Sequence, residues 1–331
     1  MANAPNYMPL LYFLMYPFAL LEWNNAKIAF AFLNFFLFLA TLAILLVKAK
    51  HRAYVMLFSI CAILGFTYSN VVANAQSTIF MGFCIVGAYF FRKNAFVLTL
   101  MLTLVLIKHS VGVPVLLGFF LAGYRKEVFF ACMMMFVVIL ISSIKFSINP
   151  FELIQMMLQV NASTYTSIGS LGGPADLVSL SQKVFHKPYS IISCLIVLIY
   201  LGFILSVWKN KPSTSQIVSA SIVLSLATLP HLGYDYYLLF IALVLMMEGR
   251  KLDFAILFTL GLSLFLWRCS FLKPWIDFVS NKIIYSDDAT YWAMNMGIPF
   301  CIVVVFCFTF IIFVTLLAKE LPSKKNDWGR I

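Results

Sequence analysis

Eleven apolar stretches, separated by short polar connections, constrain the fold of this chain more than any motif in it. Hydrophobic residues make up 63% of its 331 residues, charged residues make up 11%, and the mean hydropathy is +0.98. Because most of these side chains cannot face water, the sequence predicts an all-α integral membrane protein whose residues 1–331 form a single polytopic domain. The predicted spans are residues 28–47, 54–69, 77–90, 95–107, 111–123, 128–147, 190–207, 215–229, 235–247, 252–270 and 296–318.

Several of these spans are shorter than the roughly 20 residues that a helix perpendicular to the membrane needs. We expect flanking residues to extend them, or a polar cavity to interrupt them. Ahead of the first span, residues 8–22 form a short apolar run that contains Pro9 and Pro17. This run predicts an N-terminal interfacial or re-entrant helix, and the two prolines favour the interfacial form.

The positions of Lys and Arg predict how the spans are oriented, because short basic loops tend to stay in the cytoplasm. Of the 23 basic residues, 15 fall in six regions that alternate with the spans and are therefore predicted to be cytoplasmic. The C-terminus belongs to one of these regions and is therefore predicted to be cytoplasmic. We expect a multi-pass protein of the plasma membrane. The long loops 148–189 and 271–295 then lie on the outer face, and residues 151–160 within the first predict an interfacial helix. The six basic regions are 48–52, 91–94, 124–127, 208–214, 248–251 and the tail from residue 319.

Composition also bears on partners and cofactors. The net charge of +11 follows from the cytoplasmic bias, which favours anionic membrane lipids as partners rather than nucleic acid. All seven cysteines fall in or beside apolar spans, without the spacing of a disulfide framework or a zinc site. We therefore predict no metal ion and no cofactor.

Three groups of polar residues occur where spans end on the predicted outer face. A charge at membrane depth is costly and is seldom kept without a use, so these groups are candidate binding residues. Together they predict a cavity in the outer leaflet that binds a phosphate-linked, hydroxyl-rich ligand. There are three alternatives. The Lys side chain and the His next to it reach the lipid headgroups, the late His and Asp form a structural pair or helix cap, or the amides cap helices. The groups comprise Asn74 with Gln76, Lys108 with His109, and His231 with Asp235.

The N-terminal segment NYMPLLYFLMYPFALLEWNNAKIAFAFLN resembles the Tyr-Pro-Pro segment of a known family of membrane enzymes, with Tyr7, Pro9, Pro17 and Asn34 in matching places. That family is glycosyltransferase family 87, the polyprenyl-phosphate-mannose-dependent mannosyltransferases of the GT-C superfamily. The resemblance implies a GT-C-like bundle, here of about 11 transmembrane helices.

Three later segments resemble the same family in the same order. ANAQSTIF is similar to its Gly-Gln-x-Asn turn, retaining Gln76 but with Ala75 and Thr78 in place of the glycine and the asparagine. LVLIKHSVGVP resembles its Lys-to-Pro segment, and PHLGYDYYLLF resembles its late His-to-Asp turn.

The resemblance implies an enzyme that takes a sugar from a polyprenyl-phosphate carrier and transfers it, with inversion, to a lipid or glycan hydroxyl. Such a reaction needs cationic groups for the leaving phosphate and a carboxylate that takes the acceptor proton. Lys108, His109 and His231 are the candidates for the phosphate, with Asp235 expected to orient His231.

The expected catalytic Asp has no counterpart in this sequence. Family members normally carry it in an outer loop after a first transmembrane helix, ahead of the Tyr-Pro-Pro segment. We expect one of three explanations: a longer N-terminus, a small membrane protein that supplies the missing helix and base, or substitution by Glu22, Glu152 or Asp176. Two other function classes stay open, a lipid-linked-sugar flippase or transporter and a non-catalytic subunit of a split glycosyltransferase. Transporters often contain paired repeats, and no internal repeat is evident here.

Overall fold

A computed structural model describes residues 8–64, 71–72, 76–156, 189–229, 231 and 233–249. Within these ranges the chain is helical and contains no strand. A 3-10 helix at Gly233–Tyr237 precedes the last described α-helix. The α-helices are α1 (Leu10–Ala19), α2 (Trp23–Lys48), α3 (Arg52–Leu64), α4 (Thr78–Phe90), α5 (Ala95–Val105), α6 (His109–Leu121), α7 (Arg125–Phe146), α8 (Tyr189–Asn210), α9 (Thr214–Thr228) and α10 (Leu238–Gly249).

The helices overlap the nine predicted spans from 28–47 to 235–247, which confirms the all-helical prediction for the described parts of these segments. Residues 65–69 of the span 54–69 lie outside the described residues. Three of them are long and apolar enough to cross a membrane: Trp23–Lys48, Arg125–Phe146 and Ile192–Asn210. The chain is therefore a helical membrane protein. Its count of eleven spans stays a prediction, because 252–270, 296–318 and the loop 271–295 lie outside the described residues. Of the predicted interfacial helix 151–160, residues 151–156 are described, and they are helical.

Local sequence signals explain several helix boundaries. The Asn94 side chain accepts a hydrogen bond from the backbone N–H of Val97 at 3.1 Å, which caps the start of α5. At the start of α9, Ser213 and Gln216 form a capping box. Gly123 follows α6 with a φ of +99°, in the left-handed region that glycine adopts without strain.

The buried core is built mainly from the short helices α4, α5, α6, α9 and α10. Small residues let these helices approach closely: a Cβ on Gly118 of α6 would lie 2.7 Å from the Oγ of Ser221 on α9. A Cβ on Gly82 of α4 would lie 3.1 Å from the ring of Tyr237. Close contact at small residues is the usual way in which membrane helices associate, because apolar burial does not drive them together in lipid.

Two of the basic loops meet at one end of this bundle. The backbone N–H of Lys50 donates to Oε1 of Glu248 at 2.7 Å, and the Lys50 ammonium donates to the Glu248 carbonyl oxygen at 2.9 Å. Tyr89 lies close enough to Glu248, Ser215 and Tyr124 to interact with them. The ends of α4 and α10 and the starts of α7 and α9 therefore meet at this end. We call it the basic end.

The N-terminal helix α1 begins inside the bundle. The backbone N–H of Met8 donates to the carbonyl oxygen of Ile107, a fully buried residue, at 2.8 Å. Helix α1 then packs against α2, where the rings of Phe18 and Phe30 meet edge to face with centroids 5.6 Å apart. This arrangement fits the re-entrant alternative for residues 8–22 better than the interfacial one.

Candidate functional site

A buried ion pair joins two of the predicted site residues, Lys108 and Asp235. Lys108 is the N-cap residue of α6. The sequence predicted Asp235 in the first turn of an α-helix, but it lies in the 3-10 turn ahead of α10. Lys108 is 4% exposed and Asp235 is 0% exposed. The alternative in which Lys108 extends to the lipid headgroups is therefore wrong, because its ammonium is directed to a carboxylate in the interior.

Two further side chains bind the same carboxylate. The hydroxyl of Thr78, at the start of α4, donates to Oδ1 of Asp235 at 2.9 Å. Nδ1 of His231 lies 3.2 Å from Oδ2, as expected of an Asp that orients this His. We call Thr78, Lys108, His231 and Asp235 the Asp235 cluster, and it ties α4, α6 and the 3-10 turn together.

The hydrogen bonds of His231 constrain its protons. Since an ionised carboxylate only accepts, Nδ1 carries the hydrogen directed at Asp235. Nε2 lies 3.1 Å from Oγ of Ser225, whose hydroxyl also lies 2.7 Å from the carbonyl oxygen of Ser110. The single hydroxyl hydrogen of Ser225 is donated to the carbonyl oxygen of Ser110, which can only accept, so this hydrogen is not also available to Nε2. His231 itself lies in the connection between α9 and the 3-10 helix.

A tight turn between α5 and α6 positions Lys108. A Cβ on Gly112 would lie 2.7 Å from the carbonyl oxygen of Val105 and 2.8 Å from the Cα of Leu106. Only glycine allows α6 to pack this closely on the end of α5, since any other residue places a methyl group in that contact. The sequence LIKHSVG thus directs Lys108 inward through the glycine four residues after it.

The other predicted donor-site residues surround the Asp235 cluster or fall outside the described residues. His109 is partly exposed and interacts with Lys108 and His231. Gln76 is also partly exposed, two residues before Thr78, and its backbone N–H donates to the carbonyl oxygen of Val71 at 3.0 Å. Asn74 lies outside the described residues.

The candidate substitutes for the catalytic base do not join the Asp235 cluster where they are described. Glu22 is exposed at the N-cap of α2, and Glu152 is exposed after α7. Asp176 lies outside the described residues. Among the residues that the structure describes, no group of three His, Cys, Asp or Glu side chains is placed to hold a metal ion.

The Asp235 cluster lies deeper than the predicted outer turns imply. Helix α10 has 12 residues, so Asp235 lies about 20 Å from the basic end at about 1.5 Å per residue. The hydrocarbon core of a bilayer is about 30 Å thick, and a cluster at this depth would lie within it. Helix α2, with 26 residues, is about 39 Å long and continues well beyond the cluster.

Three residues of this region, Thr78, Ser110 and Ser225, are not among the predicted site residues. Thr78 was noted only as a departure from the family motif, and the structure shows that this position contacts Asp235 directly. Ser225 belongs to a series of serines in the apolar helix α9, where Ser219, Ser221 and Ser225 are all fully buried. Serines repeated within an apolar span are the signal that would have indicated a polar helix interface.

These features define the chain as a helical membrane protein with a buried ionic cluster at the ends of its short helices. The family model of glycosyltransferase family 87 matches residues 6–231, and the chain belongs to this family. The match confirms the resemblance, includes Gln76, Lys108 and His109, and ends four residues before Asp235. No curated protein and no solved structure matches the chain significantly.

Proposed function

We propose that this chain is a membrane glycosyltransferase that takes a mannose-type sugar from a polyprenyl-phosphate carrier and transfers it to a hydroxyl of a lipid or glycan. The reaction inverts the anomeric carbon and needs no cofactor beside the lipid-linked donor. Membership of glycosyltransferase family 87 supports a sugar donor and an acceptor. Long apolar helices support substrates that are carried by lipids.

The observation that carries this proposal is the buried pairing of Lys108 with Asp235 where the short helices end. Ionisable residues at membrane depth usually serve a function. Ammonium and imidazole groups stabilise the negative charge that develops on a leaving phosphate. In this proposal Lys108 and His109 meet the donor phosphate, while Asp235 and His231 hold Lys108 in position.

The donor site opens towards the outer face of the plasma membrane in this proposal. The contacts of Lys50 and Tyr89, which bring several loops together at the basic end, support a common cytoplasmic side for those loops. The C-terminus is then cytoplasmic, in a GT-C-like multi-pass bundle. The donor reaches the cluster from the opposite side, where Gln76 and Asn74 complete its contacts.

The base that takes the acceptor proton comes from one of the acids named above or from a separate membrane protein. Asp235 is a poor candidate because Thr78, Lys108 and His231 already bind its carboxylate. Donor binding and sugar transfer are therefore measured separately. Robust transfer by the purified chain, unaffected by Glu22→Gln, Glu152→Gln and Asp176→Asn, would exclude these three acids. Donor binding without transfer would instead favour the non-catalytic subunit of a split enzyme.

The proposal is tested by measuring the affinity of the purified chain in lipid nanodiscs for a polyprenyl-phosphate-mannose. We expect the double variant Lys108→Gln/Asp235→Asn to bind the donor at least about tenfold more weakly, because it removes the ammonium without leaving an unpaired carboxylate. Lys50→Gln is the matched control, since this lysine also contacts an acidic residue but at the basic end. Absence of donor binding by the unaltered chain, or equal losses in both variants, would contradict the proposed donor site.

A further inference from the structure

Asn34 is an exception among the buried polar residues of α2. Its side chain is 0% exposed, and neither its amide nitrogen nor its carbonyl oxygen has a hydrogen-bond partner among the described residues. Thr41, on the same buried face, is satisfied within its own helix, since its hydroxyl donates to the Leu37 carbonyl oxygen at 2.7 Å. Buried polar side chains are nearly always hydrogen-bonded, and an exception indicates a missing water or ligand.

Two ring contacts locate the buried face of α2 that carries Asn34. On its face of α2, the residue one turn towards the basic end is Phe38, whose ring lies 6.5 Å from that of Tyr237, two residues after Asp235. The residue one turn the other way is Phe30, which contacts α1 through Phe18. Asn34 therefore lies in the layer between α1 and the turn that contains Asp235.

Two further hydroxyls without a partner among the described residues lie next to members of the cluster. Oγ of Ser77, in a residue that is 4% exposed, precedes Thr78 directly. Oγ of Ser110, in a residue that is 6% exposed, follows Lys108 by two residues. Unsatisfied polar atoms thus accompany the cation and carboxylate, as a site for a hydroxyl-rich molecule would require.

We propose that the carboxamide of Asn34 hydrogen-bonds to a hydroxyl of the transferred sugar and so sets the sugar specificity of the donor site. This inference rests on the proposed function, because it assumes a lipid-linked sugar whose phosphate meets Lys108 and His109. A carboxamide offers two N–H donors and a carbonyl acceptor, and sugar hydroxyls both donate and accept. Its burial makes it selective, since a ligand without the matching hydroxyl leaves the amide unpaired.

The test compares two probes, a polyprenyl-phosphate-mannose and the same polyprenyl phosphate without sugar, on the full chain in nanodiscs. We expect Asn34→Leu, which keeps the side-chain size, to bind the sugar-bearing lipid about tenfold more weakly and the bare phosphate within about twofold of the unaltered chain. Its melting temperature should be equal or higher, because an apolar side chain removes a buried unsatisfied amide. Asn34→Ala provides a second variant, and Thr41→Val is the control on the same face.

The outcomes separate this inference from the proposed function. If the unaltered chain binds neither lipid, the proposed function fails and the role of Asn34 fails with it. If the chain binds the donor but both Asn34 variants keep its preference for the sugar-bearing lipid, only the role of Asn34 is wrong. A lower melting temperature with unchanged preference would assign the amide to the structure alone, for example through a bound water, and would also overturn the inference.

Discussion

The three long helices and the five short core helices use apolar sequence in opposite ways. In the most apolar 18-residue stretch of α8, only 11% of the residues are buried, and the corresponding shares for α2 and α7 are 28% and 33%. In the short helix α9, by contrast, 13 of 15 residues are buried. Hydropathy alone does not separate the two sets. The long helices present apolar faces outward, as lipid contact requires, whereas the short helices form the interior that holds the polar groups.

Some polar residues of the short helices form hydrogen bonds to a neighbouring helix. Oγ of Ser219 on α9 donates to the carbonyl oxygen of Ala242 on α10 at 2.6 Å, and Ser225 bonds to Ser110 on α6. In the long helix α2, the hydroxyl of Thr41 bonds within its own helix. Stability should therefore depend on side chains of the short helices far more than on equivalent side chains of the long ones.

The largest effect should come from Lys108→Met. Removing the ammonium leaves the buried carboxylate of Asp235 without its cation, and breaking a buried ion pair from one side costs about 3–5 kcal/mol. The measurement is the free energy of unfolding of the purified protein in detergent. Adding Asp235→Asn should recover part of the loss because the remaining group is neutral.

Lys209→Met at the exposed end of α8 is the control and should change the free energy of unfolding by less than about 0.5 kcal/mol. Equal effects of the two lysine substitutions would mean that Lys108 does not stabilise the interior, and the comparison between helix sets would lose its main support.

An intermediate effect is expected for Gly118→Val in α6. The new side chain would meet Oγ and Cβ of Ser221, which a glycine Cβ position approaches to 2.7 and 3.1 Å. Overpacking a tight contact typically costs about 1–3 kcal/mol. Gly202→Val in α8 is a matched control, because nothing lies within 4 Å of a Cβ there. Unfolding in detergent should distinguish the two, and similar losses at both glycines would show that α6 and α9 can separate without cost.

The sequence predicted the helices well because their signals are local. The runs of apolar residues that predicted them act within a few residues, and so do the Asn94 cap and the Ser213 capping box, which were not predicted. The start of α10 was placed too early because the sequence does not distinguish the 3-10 turn that contains Asp235 from an α-helical turn.

The candidate site was predicted only in part. Lys108, His231 and Asp235 were selected because they are ionisable groups in an apolar chain, and the structure brings them together. Their pairing and depth were not predicted, since both depend on how far each short helix extends into the bundle. Thr78 and Asn34 carry no charge. Asn34 matches the family's N-terminal segment, but only the burial of its amide without a hydrogen-bond partner among the described residues indicates a binding role.

The smallest effect should come from Thr78→Val, which keeps the side-chain shape but removes the hydroxyl that donates to Asp235. Because the carboxylate keeps Lys108 and His231, the loss should be about 1 kcal/mol of unfolding free energy, near the net value of one hydrogen bond. Thr41→Val on α2 loses only a bond to a carbonyl that its own helix already satisfies, so we expect a smaller change. If Thr41→Val destabilised the protein more than Thr78→Val, hydrogen bonds within a long helix would matter as much as those between short helices. The difference between long and short helices would then rest on ion pairing and close packing alone.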